Sequence, residues 1–352
     1  MCYNLKYEKN KLWITSLFLS ASAVIAPAAI AMSCNKNNDS TKTNNNSNNT
    51  QGTNPGSTNT TDANNSEATN LLPKASSSEN LVYNNQDSYY ASLEGLKGDQ
   101  LRNQLFTLQK NSTGSIPDYN YLYTTYRDAF VDKYYEKDGS VLDIYSEKIG
   151  KDPQTYTWKS RGSSAKGEGD GINREHIIPQ SWFDRQSPMI DDAHHVWPTD
   201  IFVNKEHSNY PYGIVKADNF VSKNGTKVGN GEEDNGLVTE PADLFKGDVA
   251  RAILYFTDTY QDKNLEATNE SRRLYKRVNN RETIKDSFKQ TYLKWNKEDP
   301  VDQFDLDRNN GIYKHQRNRN PFIDYPELVD VVFNNNNDYV FHNKGIAISV
   351  KK

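Results

Sequence analysis

The sequence predicts an α+β fold, mostly helical, with its few strands gathered around one histidine-rich motif. Three observations carry this. Leu93, Leu96, Leu101, Leu105 and Leu108 recur at helical spacing, as do Val249, Ile253, Leu254 and Phe256. Strand-like runs are short and confined to the middle of the chain. The stretch from Asn173 to Gly213 holds Glu175, His176, His194, His195, Asn204, His207 and Asn209, and four of the protein's six histidines.

The elements follow in order. Tyr89 to Gln109 predicts helix with a break at its glycines, and the aromatic-rich stretch Tyr119 to Tyr134 predicts a second helix. Val141 to Tyr145 and Thr155 to Trp158 read as short strands. The four glycines within Arg161 to Gly171 read as loop. Ile172 to Ile178 predicts a strand ending at Pro179, and His194 to Trp197 a second one ending at Pro198. Thr199 or Asp200 then caps a helix through His207 that contains Asn204. Asn209-Tyr-Pro-Tyr-Gly213 breaks that helix. Phe220 to Thr239 reads as a hairpin excursion. Gly247 to Tyr260 predicts a buried helix, Glu282 to Asn296 another, and Asp299 to Arg319 a third of mixed charge. Tyr325 to Phe333 closes the fold.

The first 33 residues carry an address. Lys6, Lys9 and Lys11 precede an almost wholly apolar run from Leu12 to Ala31, the pattern of a secretory signal. Ala31-Met32-Ser33-Cys34 resembles the lipobox of bacterial lipoproteins, which implies cleavage before Cys34 and a diacylglycerol on its thiol. Residues 34–85 are rich in Asn, Ser, Thr and Gly and cannot bury enough apolar area to fold. A flexible coil of about 45 residues has an end-to-end distance of roughly 35–40 Å, so the segment reads as a tether. Residues 86–345 are the expected folded domain. Cys2 leaves with the signal and Cys34 carries lipid, so that domain has no disulfide and depends on its core.

The whole chain has a net charge of −4, and removing a signal with three Lys and one Glu leaves about −6. A protein that holds a polyanion usually shows a basic footprint. Here it must be local. Arg272, Arg273, Lys276, Arg277 and Arg281 form one candidate track, and Lys314, His315, Arg317 and Arg319 another.

The motif has its own chemistry. A neutral His176 can take a proton from water. Glu175 offers a charged oxygen and Asn204 a neutral one. So few protein ligands leave positions for water and a phosphate oxygen, which suits Mg²⁺, with Ca²⁺ or Mn²⁺ as alternatives. Adjacent strand residues point to opposite faces, so Glu175 and His176 share a pocket only if the strand bends or bulges.

Asn173-Arg-Glu-His176, Asp192-Ala-His-His-Val-Trp-Pro198 and Val203-Asn204 through Asn209-Tyr-Pro-Tyr-Gly213 resemble the bacterial endonuclease I family, nonspecific nucleases with a ββα-metal core. The similarity continues through Lys246-Gly-Asp-Val-Ala-Arg-Ala-Ile-Leu-Tyr-Phe256 and Leu293-Lys-Trp-Asn to Asn318-Arg-Asn-Pro-Phe-Ile-Asp324. The resemblance implies His176 as general base, Glu175 and Asn204 as metal ligands, and Arg319 or Arg174 on the scissile phosphate. It places His194, His195 and Asn209 around them, His194 and His195 orienting a ligand or the base. His207 is expected at the surface. Arg317 stands where the family usually has glycine.

The function expected is a membrane-anchored, monomeric, extracellular endonuclease acting on DNA and RNA. No recognition helix or zinc-finger spacing is present, so base-specific readout is not expected. The competing reading is a catalytically silent adhesin or nucleic-acid-capture lipoprotein. A structural zinc site lacks both cysteines and a His-x₃₋₅-His pair.

Overall fold

The computed structural model describes residues 72–148 and 156–352. The signal segment, Cys34 and most of the tether lie outside them. The described chain begins with two strands, β1 (Lys74–Ala75) and β2 (Leu81–Asn84). Helices α1 (Gly98–Ser112) and α2 (Leu122–Ala129) follow, then β3 (Ile172–His176), β4 (Val196–Asp200) and α3 (Ile201–His207). A three-stranded sheet comprises β5 (Val215–Val221), β6 (Lys227–Gly231) and β7 (Leu237–Glu240). Next come α4 (Lys246–Thr259), α5 (Ser271–Leu274), and the hairpin of β8 (Tyr275–Val278) and β9 (Arg281–Ile284). The chain closes with α6 (Asp286–Glu298), β10 (Val301–Asp302), α7 (Gln303–Gln316), α8 (Pro321–Asp324), α9 (Leu328–Phe333) and β11 (Ile346–Val350). The α+β class holds: helices alternate with small antiparallel sheets.

Helix α4 is the hub, buried from Gly247 to Thr259. Such burial leaves its polar residues, Asp248 and Arg251 among them, to find partners inside the protein. The helix has room because of Gly247, where a Cβ would lie 1.9 Å from the Asp299 carbonyl. Two of its buried charges are matched: Arg251 Nη2 donates to Asp305 Oδ2 at 2.5 Å, and Arg308 Nη1 donates to Asp248 Oδ1 at 2.6 Å. Helix α7 starts on a capping box, with Asp302 and Asp305 each accepting from the other's backbone N–H.

Four expectations change. Val141 to Tyr145 forms no strand. Val141 only bridges to Val131, and the Asp143 carboxylate accepts from the Tyr145 N–H and Ser146 hydroxyl in a turn. Of the second expected strand, Thr155 lies outside the described residues and Thr157 to Ser160 is a turn. Glu282 belongs not to a helix but to β9, because Asn279 and Asn280 both adopt positive φ and close a hairpin. The second motif strand starts at Val196 and runs through Pro198, which a two-stranded sheet tolerates because each strand has a free edge.

The folded region also exceeds 86–345 at both ends. Strand β2 pairs with β11, and β1 with β10. Ala75, Leu81, Ala347 and Val350 bury themselves in a satellite core with Val301, Leu306 and Ile323. Four apolar residues at the two ends thus complete a core that the middle of the chain leaves open.

Candidate active site

The motif forms two strands and a helix. Strand β3 pairs antiparallel with β4 without interruption, from Ile172 opposite Asp200 to His176 opposite Val196. Asp200 then caps α3, accepting from the N–H groups of Phe202 and Val203 at 2.7 and 2.9 Å. Helix α2 is pinned to this unit by the Tyr126 hydroxyl, which donates to the Val196 carbonyl at 2.8 Å.

Because β3 has no bulge, its side chains alternate. Asn173 and Glu175 face α3, whereas Arg174 and His176 face the segment that leads into α2. The doublet Glu175-His176 is thus divided between two environments.

On the helix side, Glu175 is buried. His207 Nε2 lies 3.2 Å from its Oε1, and neither atom has another hydrogen-bond partner. The Tyr212 hydroxyl donates to the same carboxyl group. Burial, with the Asp143 charge nearby, pushes the Glu175 carboxyl well above the usual range. Asn204 donates from Nδ2 to Asn173 Oδ1 at 2.9 Å, which leaves its own amide oxygen as its ligand atom. His207 is fully buried, not at the surface: its ring stacks on Tyr212 at 4.7 Å and its Nδ1 lies 2.7 Å from Thr239 Oγ1. Burial holds it down at about 3, so it is neutral at pH 7. The spacing of Asn204 and His207, one helical turn, was the signal that both face β3.

On the other side, His176 Nε2 lies 3.2 Å from the Ile190 carbonyl oxygen. A carbonyl only accepts, so Nε2 carries the proton and Nδ1 keeps a lone pair. Burial lowers this ring to about 4, so it too is neutral at pH 7. Tyr119 stacks on it at 5.9 Å and 22°. Arg174 donates from Nη1 to the Tyr119 carbonyl at 2.9 Å, with its guanidinium 3.6 Å from the Tyr119 ring centre. A base and a cation are thereby fixed side by side.

The remaining expectations divide. His195 packs edge-on against His176 at 5.9 Å, while its own Nε2 meets the Met189 carbonyl at 2.6 Å. His194 does not reach Glu175 or His176; it meets the Asn318 carbonyl at 3.2 Å and the Tyr255 ring at 4.7 Å. Burial lowers both to about 3. Asn209 is exposed in the turn that ends α3. Arg319 is not a phosphate ligand. It is wholly buried and donates to Asp324 at 2.6 and 2.8 Å. Three of the five cations in the 272–281 cluster are committed to carboxylates: Arg273 pairs with Asp234 and Glu270, Arg277 with Glu282, and Lys276 with Asp286, while Arg272 and Arg281 donate only to neutral oxygens of Glu266, Asn269 and Asn103. Lys314 and His315 both pair with Asp128.

Sequence reasoning missed Asn173, Tyr119, Tyr123 and Arg161. It also missed an acidic group away from the motif, where Asp132, Glu136 and Glu147 bring one oxygen each within 4.8 Å of one another. Two of the missed residues had a local signal, the i,i+4 spacing of Tyr119 and Tyr123, but it lies far ahead of the motif in the chain.

Comparison with known proteins identifies the family. The family model for endonuclease I matches residues 97–327. The chain is 30% identical over 255 residues to an extracellular ribonuclease of Bacillus subtilis, covering 71% of this chain and 80% of that protein. It is 29% identical over 269 residues to an extracellular ribonuclease of Bacillus amyloliquefaciens, covering 75% and 84%. An endonuclease-1 of Buchnera aphidicola is 26% identical over 132 residues, covering 38% and 45%. With the motif strand, the histidine on it and the matched span in agreement, the chain belongs to the endonuclease I family, nucleases that hydrolyse phosphodiester bonds.

Proposed function

We propose that the protein is a membrane-anchored extracellular endonuclease that cleaves DNA and RNA without sequence preference and uses a divalent cation, Mg²⁺ in the first place. The observation that carries the reading is His176: a neutral imidazole whose proton is tied to a backbone carbonyl, leaving Nδ1 to accept one, next to a fixed arginine. Among the described residues Arg174 has no ion-pair partner, so its charge is available to a phosphate. The ribonuclease names of the two Bacillus relatives support RNA as one substrate.

In the mechanism, Arg174 holds the scissile phosphate and His176 Nδ1 takes the proton of the attacking water. General-base catalysis of this kind is worth about 10²–10⁴-fold. Glu175 and Asn204 would hold the cation. One carboxylate and one amide oxygen suit a hard ion that keeps several waters, and Glu175 Oε1 is a buried oxygen facing only His207. Such an ion supplies stabilisation of the charge that develops on the leaving oxygen. Because Glu175 faces away from His176, it joins the same phosphate only by turning out from between His207 and Tyr212.

Plasmid and RNA cleavage, lost in EDTA and restored by Mg²⁺, tests the reading. Inert wild-type protein under these conditions would overturn it. The ligand assignment has its own check. Saturating Mn²⁺ should raise the melting temperature of wild type, by mass action on the folded state. Glu175→Gln should lose that rise. An undiminished rise would move the cation to Asp132, Glu136 and Glu147.

The anchor is part of the proposal and rests on the Ala31-Met32-Ser33-Cys34 pattern. Among the described residues no helix is long and apolar enough to cross a membrane. Mass spectrometry of the membrane fraction should find a lipid-modified N-terminal Cys34, and Cys34→Ser should release the protein. An intact Met1 in the membrane-bound form would contradict it.

A further inference from the structure

Beside His176, arginines and tyrosines alternate. The Arg161 guanidinium lies 4.2 Å from the Tyr123 ring centre. Arg174 lies 5.0 Å from Tyr123 and 3.6 Å from Tyr119. Tyr119 stacks on His176. The order in space is therefore Arg161, Tyr123, Arg174, Tyr119, His176. Both tyrosines are half-buried and Arg161 is exposed. Among the described residues neither guanidinium forms an ion pair; Arg161 donates only to the Trp158 carbonyl at 3.1 Å, and Arg174 to that of Tyr119. The basic cluster at 272–281 gives the contrast, since Arg273, Lys276 and Arg277 there are committed to carboxylates.

We propose that Arg161, Tyr123, Arg174 and Tyr119 form a track for unpaired nucleotides, leading a single strand of RNA or DNA to His176. The proposal rests on the nuclease reading above and names the substrate class. Ring faces and guanidinium planes stack on any base, so such a platform binds without regard to sequence. A base in a duplex is already stacked on both sides, so its faces are closed to the track. The guanidiniums neutralise the phosphates between stacked bases. Charge alone would serve a duplex equally well; the interleaved rings are what discriminate. The track also explains how a chain with net charge −4 grips a polyanion: the cations that touch the strand are few, local and uncompensated.

The test is binding in EDTA, where nothing is cut. Fluorescence anisotropy is measured with labelled single-stranded oligothymidylate and oligouridylate, and with a DNA hairpin duplex of equal charge. Wild type should bind the single strands more tightly. Tyr123→Leu should weaken single-strand binding by about five- to tenfold and spare the duplex, whereas Tyr123→Phe, which keeps the ring, should bind as wild type. Arg161→Ala should lower the salt slope for the single strand by about 0.7. Unchanged binding in Tyr123→Leu and Arg161→Ala, or equal losses on both probes, overturns the track. A thermal melt reports whether Tyr123→Leu is folded; if it is not, the exposed Arg161 carries the test. Failure of the nuclease reading is seen separately, as wild type that binds these strands but does not cut them in Mg²⁺.

Discussion

His176→Ala should reduce cleavage of DNA and RNA by about 10²–10⁴-fold while leaving substrate binding in EDTA nearly unchanged. The imidazole is the neutral base beside Arg174, and of the rings that contact it Tyr119 only stacks on it, while His195 is wholly buried and out of reach of solvent. The loss should fall on kcat more than on KM, because the proton moves only in the transition state. A variant that turns over within about threefold of wild type would remove His176 from the mechanism. Loss of the histidine ring also leaves a gap under Tyr119, so a thermal melt of the variant belongs beside the kinetics. A melting temperature close to that of wild type makes the kinetic loss chemical.

Arg319→Ala should destabilise the domain by about 3–5 kcal/mol, a large part of the stability of a typical domain. The arginine is fully buried, and Asp324 takes both of its short bonds. Asp324 also accepts from the Tyr90 hydroxyl at 2.6 Å and from the Ala347 N–H at 3.1 Å. Removing the guanidinium leaves a buried carboxylate with no counter-charge. Arg319→Lys should recover only part of the loss, since an ammonium cannot reproduce the two-pronged geometry. Urea unfolding reads the effect directly. The contrast with His176→Ala is the useful part: per folded molecule, Arg319→Ala should keep its cleavage rate and its salt dependence. A folded Arg319→Ala protein with selectively weakened phosphate binding would contradict the structural role.

The residues of the motif were legible because their types and order are dictated by chemistry. A cap at Thr199 or Asp200, with Asn204 within the helix, followed from capping and spacing alone, and the structure selects Asp200. The alternation rule set a condition for Glu175 and His176 to share a pocket, a bend or bulge in the strand, and the unbroken register of β3 with β4 does not meet it. What stayed hidden depends on partners far away in sequence. Arg319 and Arg174 look alike in the chain. One is sealed between Asp324 and Tyr313, and the other is held open over Tyr119. His207 looks like a polar residue at a helix end until Thr239 and Tyr212 close over it. The arginines and lysine at 273, 276 and 277 look like a binding surface until their acids arrive from residues 234, 270, 282 and 286. The hairpin at Asn279-Asn280 is different: its turn residues were visible, and a helical reading of Glu282 onward passed over them.

The pairing of β2 with β11 joins residues 81–84 to residues 346–350. A chain is made from its N-terminus, so β11 is made long after β2. The domain therefore cannot close until residues 346–350 have been made. Strand β2 waits for β11, and the satellite core around Leu81 waits with it. Closing so long a loop is slow compared with local folding. The consequence is a latch: the domain stays open while the residues between the two strands are made, and the latch engages only when 346–350 are available to 81–84.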